Sequence, residues 1–324
     1  MTNSDEQPSG RIAGRSIDTA VEMVVARDDS PGPDEVRRVL SSVAADGVVT
    51  WDAVDDALAH LSKVVSTPET RVELAAMELT EARDAAEEVT DRDIVRTRLE
   101  TFERRLDAVE SRVEAVAAEL QSLVHDDSAG LYEVATDVRR LTVAANEAQH
   151  DADELQVDLE EFQRWLADAE TRRATLAEEV DALDDSLERL AAVVDELAAS
   201  MDEADTEVDA GTGWFDVLLR YRALEPLFSD LQRELAALTA WDEEAGGETA
   251  DDLAALGDRL DDLRERWRSG TDRLDALARP AWRARFDERL SSFDSALEKV
   301  EPPVDWAEIS AALDEARAGL DDSR

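Results

Sequence analysis

The stretch LYEVATDVRRLTVAANEAQHDADELQVDLEEFQRWLADAETRRATLAEEVDALDDSLERLAAVVDELAASMDEA, residues 131–204, returns an apolar residue at alternating steps of three and four. One set is Leu131, Val138, Ala145, Ala152, Leu159, Leu166, Val180, Leu187, Val194 and Met201. The other is Val134, Leu141, Ala148, Leu155, Phe162, Ala169, Leu176, Leu183, Leu190, Leu197 and Ala204. A mean spacing of about 3.5 residues puts both sets on one seam that supercoils left-handedly against partner helices. Neither Gly nor Pro occurs inside it, which predicts one uninterrupted helix of roughly 110 Å at 1.5 Å per residue. Only Arg173 interrupts the seam. A polar residue there is expected to fix the coiled-coil register opposite a carboxylate. The layers Ala145, Ala148 and Ala152 allow either close helix approach or local flexing.

Small or neutral residues such as Ala135, Thr142, Gln149 and Gln156 flank the seam and widen the apolar stripe. That pattern predicts an intramolecular hairpin or bundle, with a homodimer through the coiled coil as a further option. Upstream, Thr67-Pro68-Glu69 reads as a helix start. Val72, Ala75, Leu79, Ala82 and Ala86 continue the spacing from it, and Leu99 to Leu123 resume it after a break near Asp91. Residues 125–130 suit a turn that folds this arm back on the start of the 131–204 helix.

Working outward gives an all-α architecture of five parts. A disordered tail covers 1–14. A small N-terminal helical domain spans 15–66, with helices near 17–26, from Pro33 to Asp46-Gly47, and after a Thr50 cap, around a Trp51 core. The coiled-coil hairpin takes 67–208, as arms 67–124 and 131–208. Gly211-Thr212-Gly213 then breaks the rod, and a Trp-rich helical bundle fills 213–319, carrying Trp214, Trp241, Trp267, Trp282 and Trp306. Those tryptophans form either a core or a docking surface. Residues 320–324 are a tail.

Composition narrows the function classes. The 324 residues carry a formal net charge of −45 with pI near 4.2, and only Lys63 and Lys299 are lysines. Such a surface repels phosphates and anionic lipid heads at ordinary salt. At ~1 M salt the screening length falls to about 3 Å, so the composition reads as adaptation to a salt-filled cytoplasm. There is no cysteine, which excludes disulfides and thiolate metal sites. The N-terminus lacks an apolar signal core, and no window suggests a membrane span. A cytoplasmic location is expected.

No catalytic constellation emerges, and neither an enzymatic activity nor a cofactor is expected. His60, His125 and His150 are scattered without ligand spacing. A helix-turn-helix around Asp46-Gly47 would aim Asp52, Asp55 and Asp56 at DNA, the wrong sign for a groove reader; nucleic acid is disfavoured.

The segment DGVVTWDAVDDALAH (46–60), running on to STPETRVELA (66–75), resembles the haloarchaeal proteins of the "halo transducer protein" family. The resemblance implies kinship with chemotaxis and phototaxis transducers, whose rods carry glutamate methylation and bind a histidine kinase. ATLAEEVDAL (174–183) is similar to the transducer methylation pattern, which makes Glu178 and Glu179 the candidate methylation sites; Leu183 departs from the pattern. The sequence therefore points to a non-enzymatic coiled-coil scaffold or adaptor that mediates protein–protein interaction. A soluble transducer-like signalling component is the alternative, and a DNA-organising rod a more distant one.

Overall fold

A computed structural model describes residues 12–26, 32–125, 129–200, 207–300, 304 and 306–318. Helices make up nearly all of these residues, with three two-residue strands and short turns between them. In chain order the elements are β1 (Arg15–Ser16), α1 (Ile17–Val25), α2 (Pro33–Ser41), β2 (Ala44–Ala45), β3 (Val48–Val49), α3 (Trp51–Ala86), α4 (Asp93–His125), α5 (Leu131–Ala167), α6 (Ala169–Ser200), α7 (Glu207–Ala245), α8 (Ala250–Leu277), α9 (Pro280–Leu297) and α10 (Trp306–Arg317). Among the described residues no helix is long and apolar enough to cross a membrane. The chain divides into two units, residues 1–91 with 98–163, and residues 92–97 with 164–324. The boundary therefore falls inside the 131–204 stretch and not at the glycines near 211.

In the first unit, α3, α4 and α5 are held side by side by pairs that also give their directions. Arg105 meets Asp158 at 2.7 Å and Arg140 meets Glu119 at 2.5 Å, so α4 and α5 are antiparallel. Arg112 pairs with Asp151 in the same sense. Arg71 reaches Asp153 at 3.1 Å and Gln163 reaches Glu78 at 3.1 Å, so α3 and α5 run in parallel. Inside, the seam residues from Leu131 to Phe162 are buried, and Phe162 meets Phe102 with ring centroids 5.3 Å apart.

The N-terminal segment is not a separate domain. Val36, Leu40, Val49, Val54 and Leu61 share one core with Val116 and Leu120 of α4 and Leu131 to Ala145 of α5. Nor does the tail extend to residue 14: Ile12 is buried and the Gly14 N–H donates to Val49 O at 2.7 Å. Residues 1–11 of the predicted N-terminal tail, the whole predicted tail 320–324 and residue 319 lie outside the described residues, as do 126–128 of the predicted turn and 201–206 at the end of the rod.

Several local expectations fail for identifiable reasons. Asp46-Gly47 does not end a helix but forms the turn of a β2–β3 hairpin, with φ of 51° and 77°. Both positive values suit the tight hairpin turn for which Asp-Gly is favoured. β1 pairs with the other edge of β3, giving the order β1-β3-β2. Thr50 does cap α3, accepting from the Ala53 N–H at 3.1 Å, but Trp51 is 42% exposed and lies outside the core. Pro68 does not begin a helix; it lies buried inside α3, whose 36 residues continue past it. Its ring contributes apolar surface, and tertiary packing overrides its weak helix propensity.

The second unit packs α6 to α10. Trp214 stands 1% exposed and donates from Nε1 to Leu274 O at 2.9 Å, while Trp267 donates to Tyr221 O at 2.7 Å. Phe215 stacks on Phe286 at 4.3 Å. Trp214, Trp241 and Trp282 are buried and Trp267 is half-buried, so these rings make a core; Trp306 alone of the five is exposed, at 47%. Gly211 and Gly213 do not break the chain, because α7 runs through both. At Gly211 a Cβ would come within 2.9 Å of Trp282, so the glycine allows close approach. Gly270 does the same for Tyr221, whose hydroxyl would lie 2.5 Å from an added Cβ.

Gly270→Ala is expected to destabilise the second unit by about 1–3 kcal/mol through overpacking, although alanine in an exposed helix gains about 1 kcal/mol. Chemical denaturation followed by tryptophan fluorescence checks the sign; a stabilised variant would refute the close-approach role.

Candidate functional site

The predicted uninterrupted helix is broken at Asp168, where α5 stops at Ala167 and α6 begins at Ala169. No Gly or Pro is responsible. The Asp168 carboxylate accepts from the Thr171 N–H at 2.9 Å and from the Thr171 hydroxyl at 2.7 Å. It is an N-cap, satisfying donors that the first turn of α6 cannot pair internally. The hydroxyl and amide of Thr171 hold this carboxyl below the usual carboxylate range.

Across the break, the last carbonyls of α5 need donors. Arg172 supplies them: its Nη1 donates to Trp165 O at 3.1 Å and to Leu166 O at 3.0 Å. A cation over a helix C-terminus also complements the macrodipole. Arg172 is 8% exposed, and burial pulls its pKa below the ordinary arginine value. Its guanidinium lies 4.0 Å from the centroid of Trp241, and Trp241 meets Trp165 edge-on with centroids 5.6 Å apart. Such cation–π contacts gain strength where water is excluded.

Trp241 is held in turn by the α7–α8 turn. Asp242, 5% exposed, accepts from the Thr249 hydroxyl at 2.9 Å, and its backbone carbonyl accepts from Gly246 at 3.0 Å and Gly247 at 2.7 Å. The Arg92 guanidinium stands 4.7 Å from the same indole and pairs with Glu244 at 2.5 Å. These residues, all of the second unit, form a polar knot of two arginines and two tryptophans. The Arg172 guanidinium and the Asp168 and Asp242 carboxylates are each engaged with groups of the knot, an arrangement suited to fixing helix ends.

The residues singled out from sequence lie apart from this knot or beside it. Arg173 is half-buried, pairing with Glu170 at 2.5 Å and standing 4.0 Å from Asp252 of α8. Glu178 is exposed on α6 and Glu179 half-buried. His60 and His125 are exposed, and His150 reaches Glu154 at 3.2 Å. Among the described residues no group of three His, Cys, Asp or Glu side chains is arranged to hold a metal ion. Arg172 was missed because its neighbour occupies the seam position. Asp168-Ala169-Glu170-Thr171, a capping residue followed by an acid in the first turn, carried the signal. Compared with protein-family models, curated proteins and solved structures, the chain matches none of them.

Arg172→Met is expected to cost about 2–4 kcal/mol of unfolding free energy, because two carbonyls lose a charged donor, whereas Arg173→Ala should cost less than about 1 kcal/mol because its carboxylate partners are exposed. Urea titration of both variants measures the contrast; equal effects would contradict it. The depressed Asp168 pKa makes a contribution that is complete above the unfolded value near 3.9 and is lost as pH falls through the native one. Asp168→Asn should therefore flatten the acid limb of the stability profile and lower stability at neutral pH by a pH-independent amount.

Proposed function

We propose that the chain is a non-enzymatic coiled-coil scaffold or adaptor that works through protein–protein contact. The observation that carries this reading is how the long helices are joined. Their seams close on other helices of the same unit, and arginine–carboxylate pairs pin neighbouring helices in register. In the second unit Arg259 and Arg266 of α8 share Asp184 of α6, at 3.0 and 2.6 Å. Both guanidiniums hold the Asp184 carboxyl below its ordinary range. Exposed pairs of this kind contribute little each to stability, but they fix which residues face each other and leave outward surfaces free to bind.

The acidic surface suits a high-salt interior, and a haloarchaeal cytoplasm is the setting this reading assigns. Helix content and melting temperature should then rise as KCl is raised from about 0.1 M to 2 M, because screening removes carboxylate repulsion. A flat response by circular dichroism would refute the halophilic assignment.

Affinity capture with the full chain at multimolar KCl tests the scaffold reading directly. The expected result is a protein retained in defined stoichiometry; retention of DNA as the sole partner would overturn it. Exposed Glu178 on α6 favours one second reading, a transducer-like signalling component modified by methyl esterification. Intact-mass and peptide analysis of protein from native cells decides it: a methyl-ester increment at Glu178 or Glu179 supports signalling, and unmodified peptides exclude it.

A further inference from the structure

The outward face of α5 in the first unit carries a pattern that the seam does not use. Val143 and Val157 are 49% and 52% exposed, and His150 is exposed midway between them. Steps of seven residues put all three on one stripe opposite the seam. Rotated end for end about His150, the stripe is complementary to itself. Val143 then meets Val157, Arg139 meets Glu161, and Arg140, which also holds Glu119 and Asp137 of its own chain, stands beside Glu160, all of them exposed residues. A parallel alignment would instead set Arg139 and Arg140 against their own copies, which like-charge repulsion disfavours. The antiparallel register contains one adverse pair, Glu147 with Asp153, and Asp153 is offset by Arg71 at 3.1 Å. Beside Val143, an open groove of about 370 Å³ between α2 and α5, lined by Val39, Arg140, Val143 and Ala144, offers room for an incoming valine.

We propose that this face is a self-association surface on which a second copy of the chain docks antiparallel, about a two-fold axis at His150. A two-fold contact uses the same patch on both copies, which is why the valines and the charges repeat in mirrored order. This dimer uses the outer face of α5 and not the seam, whose residues are already buried within the unit. It does not depend on the scaffold reading. One helix pair lies at the low end of stable interface sizes, so a Kd on the order of 10 µM is expected.

Sedimentation equilibrium of the full chain, at about 0.5 M and 2 M KCl to bracket screening, tests the proposal. Wild-type protein should show a reversible monomer–dimer equilibrium. Val143→Glu combined with Val157→Glu should weaken it at least about tenfold by burying charge at the contact, with helix content unchanged by circular dichroism. Arg139→Glu should weaken it about three- to tenfold, and adding Glu161→Arg to that variant should restore wild-type association by recreating the pair with reversed sign. A monomer at about 200 µM, well above the expected Kd, would assign the face to a different occupant and overturn the proposal. So would a dimer indifferent to the valine substitutions, or one that the charge swap fails to restore.

Discussion

An α-helix that stops inside a packed layer leaves its last carbonyls without donors, and burying them unpaired is costly. At Ala167 the solution is the Arg172 side chain, which turns back from the first turn of α6 to serve Trp165 and Leu166. Asp168 performs the complementary task for the amides of α6. Opposite charges thus sit at the two helix ends that each favours. The remaining features of the knot follow from keeping a guanidinium in place once it has left water. Trp241 offers it an aromatic face, Trp165 closes against that indole, and the Asp242 cap holds the turn that positions Trp241.

Both units apply the same rule to charge. Carboxylates greatly outnumber cations in this chain, yet arginines recur between helices, where one guanidinium reaches two partners. Arg140 touches Glu119 and Asp137, and Arg259 touches Asp181 and Asp184. The planar fork of arginine suits such sharing better than the point charge of lysine. Surplus acid remains on the outer faces, where it is solvated.

The seam was readable because burial repeats at every third or fourth residue, and periodicity survives whatever the partners are. Leu131 to Phe162 and Leu176 to Leu197 are buried as that pattern requires. What escaped is the set of positions where a residue's ordinary role is overridden by a neighbour distant in sequence. Pro68 looks like a helix start until packing holds the helix together around it. Gly211 looks like a breaker until Trp282 occupies the space a side chain would fill. Asp168 looks like one more solvated acid until Thr171 and Arg172 are placed beside it. Asp46-Gly47 is a different case: its hairpin signal is local, but the strands it joins are only two residues long and leave no alternating pattern to read.

The short segment of residues 92–97, Arg92 and the start of α4, belongs with residues far downstream, since Arg92 meets Glu244 across 152 positions of sequence. Neither unit is therefore a continuous length of chain. On a ribosome adding roughly 5–20 residues per second, Arg92 emerges many seconds before its indole and carboxylate exist. The start of α4 must wait, half-assembled, while α5 and α6 are still being made. Vectorial synthesis thus favours completion of the first unit before the second, and a cut between residues 163 and 164 would sever a helix that both units use.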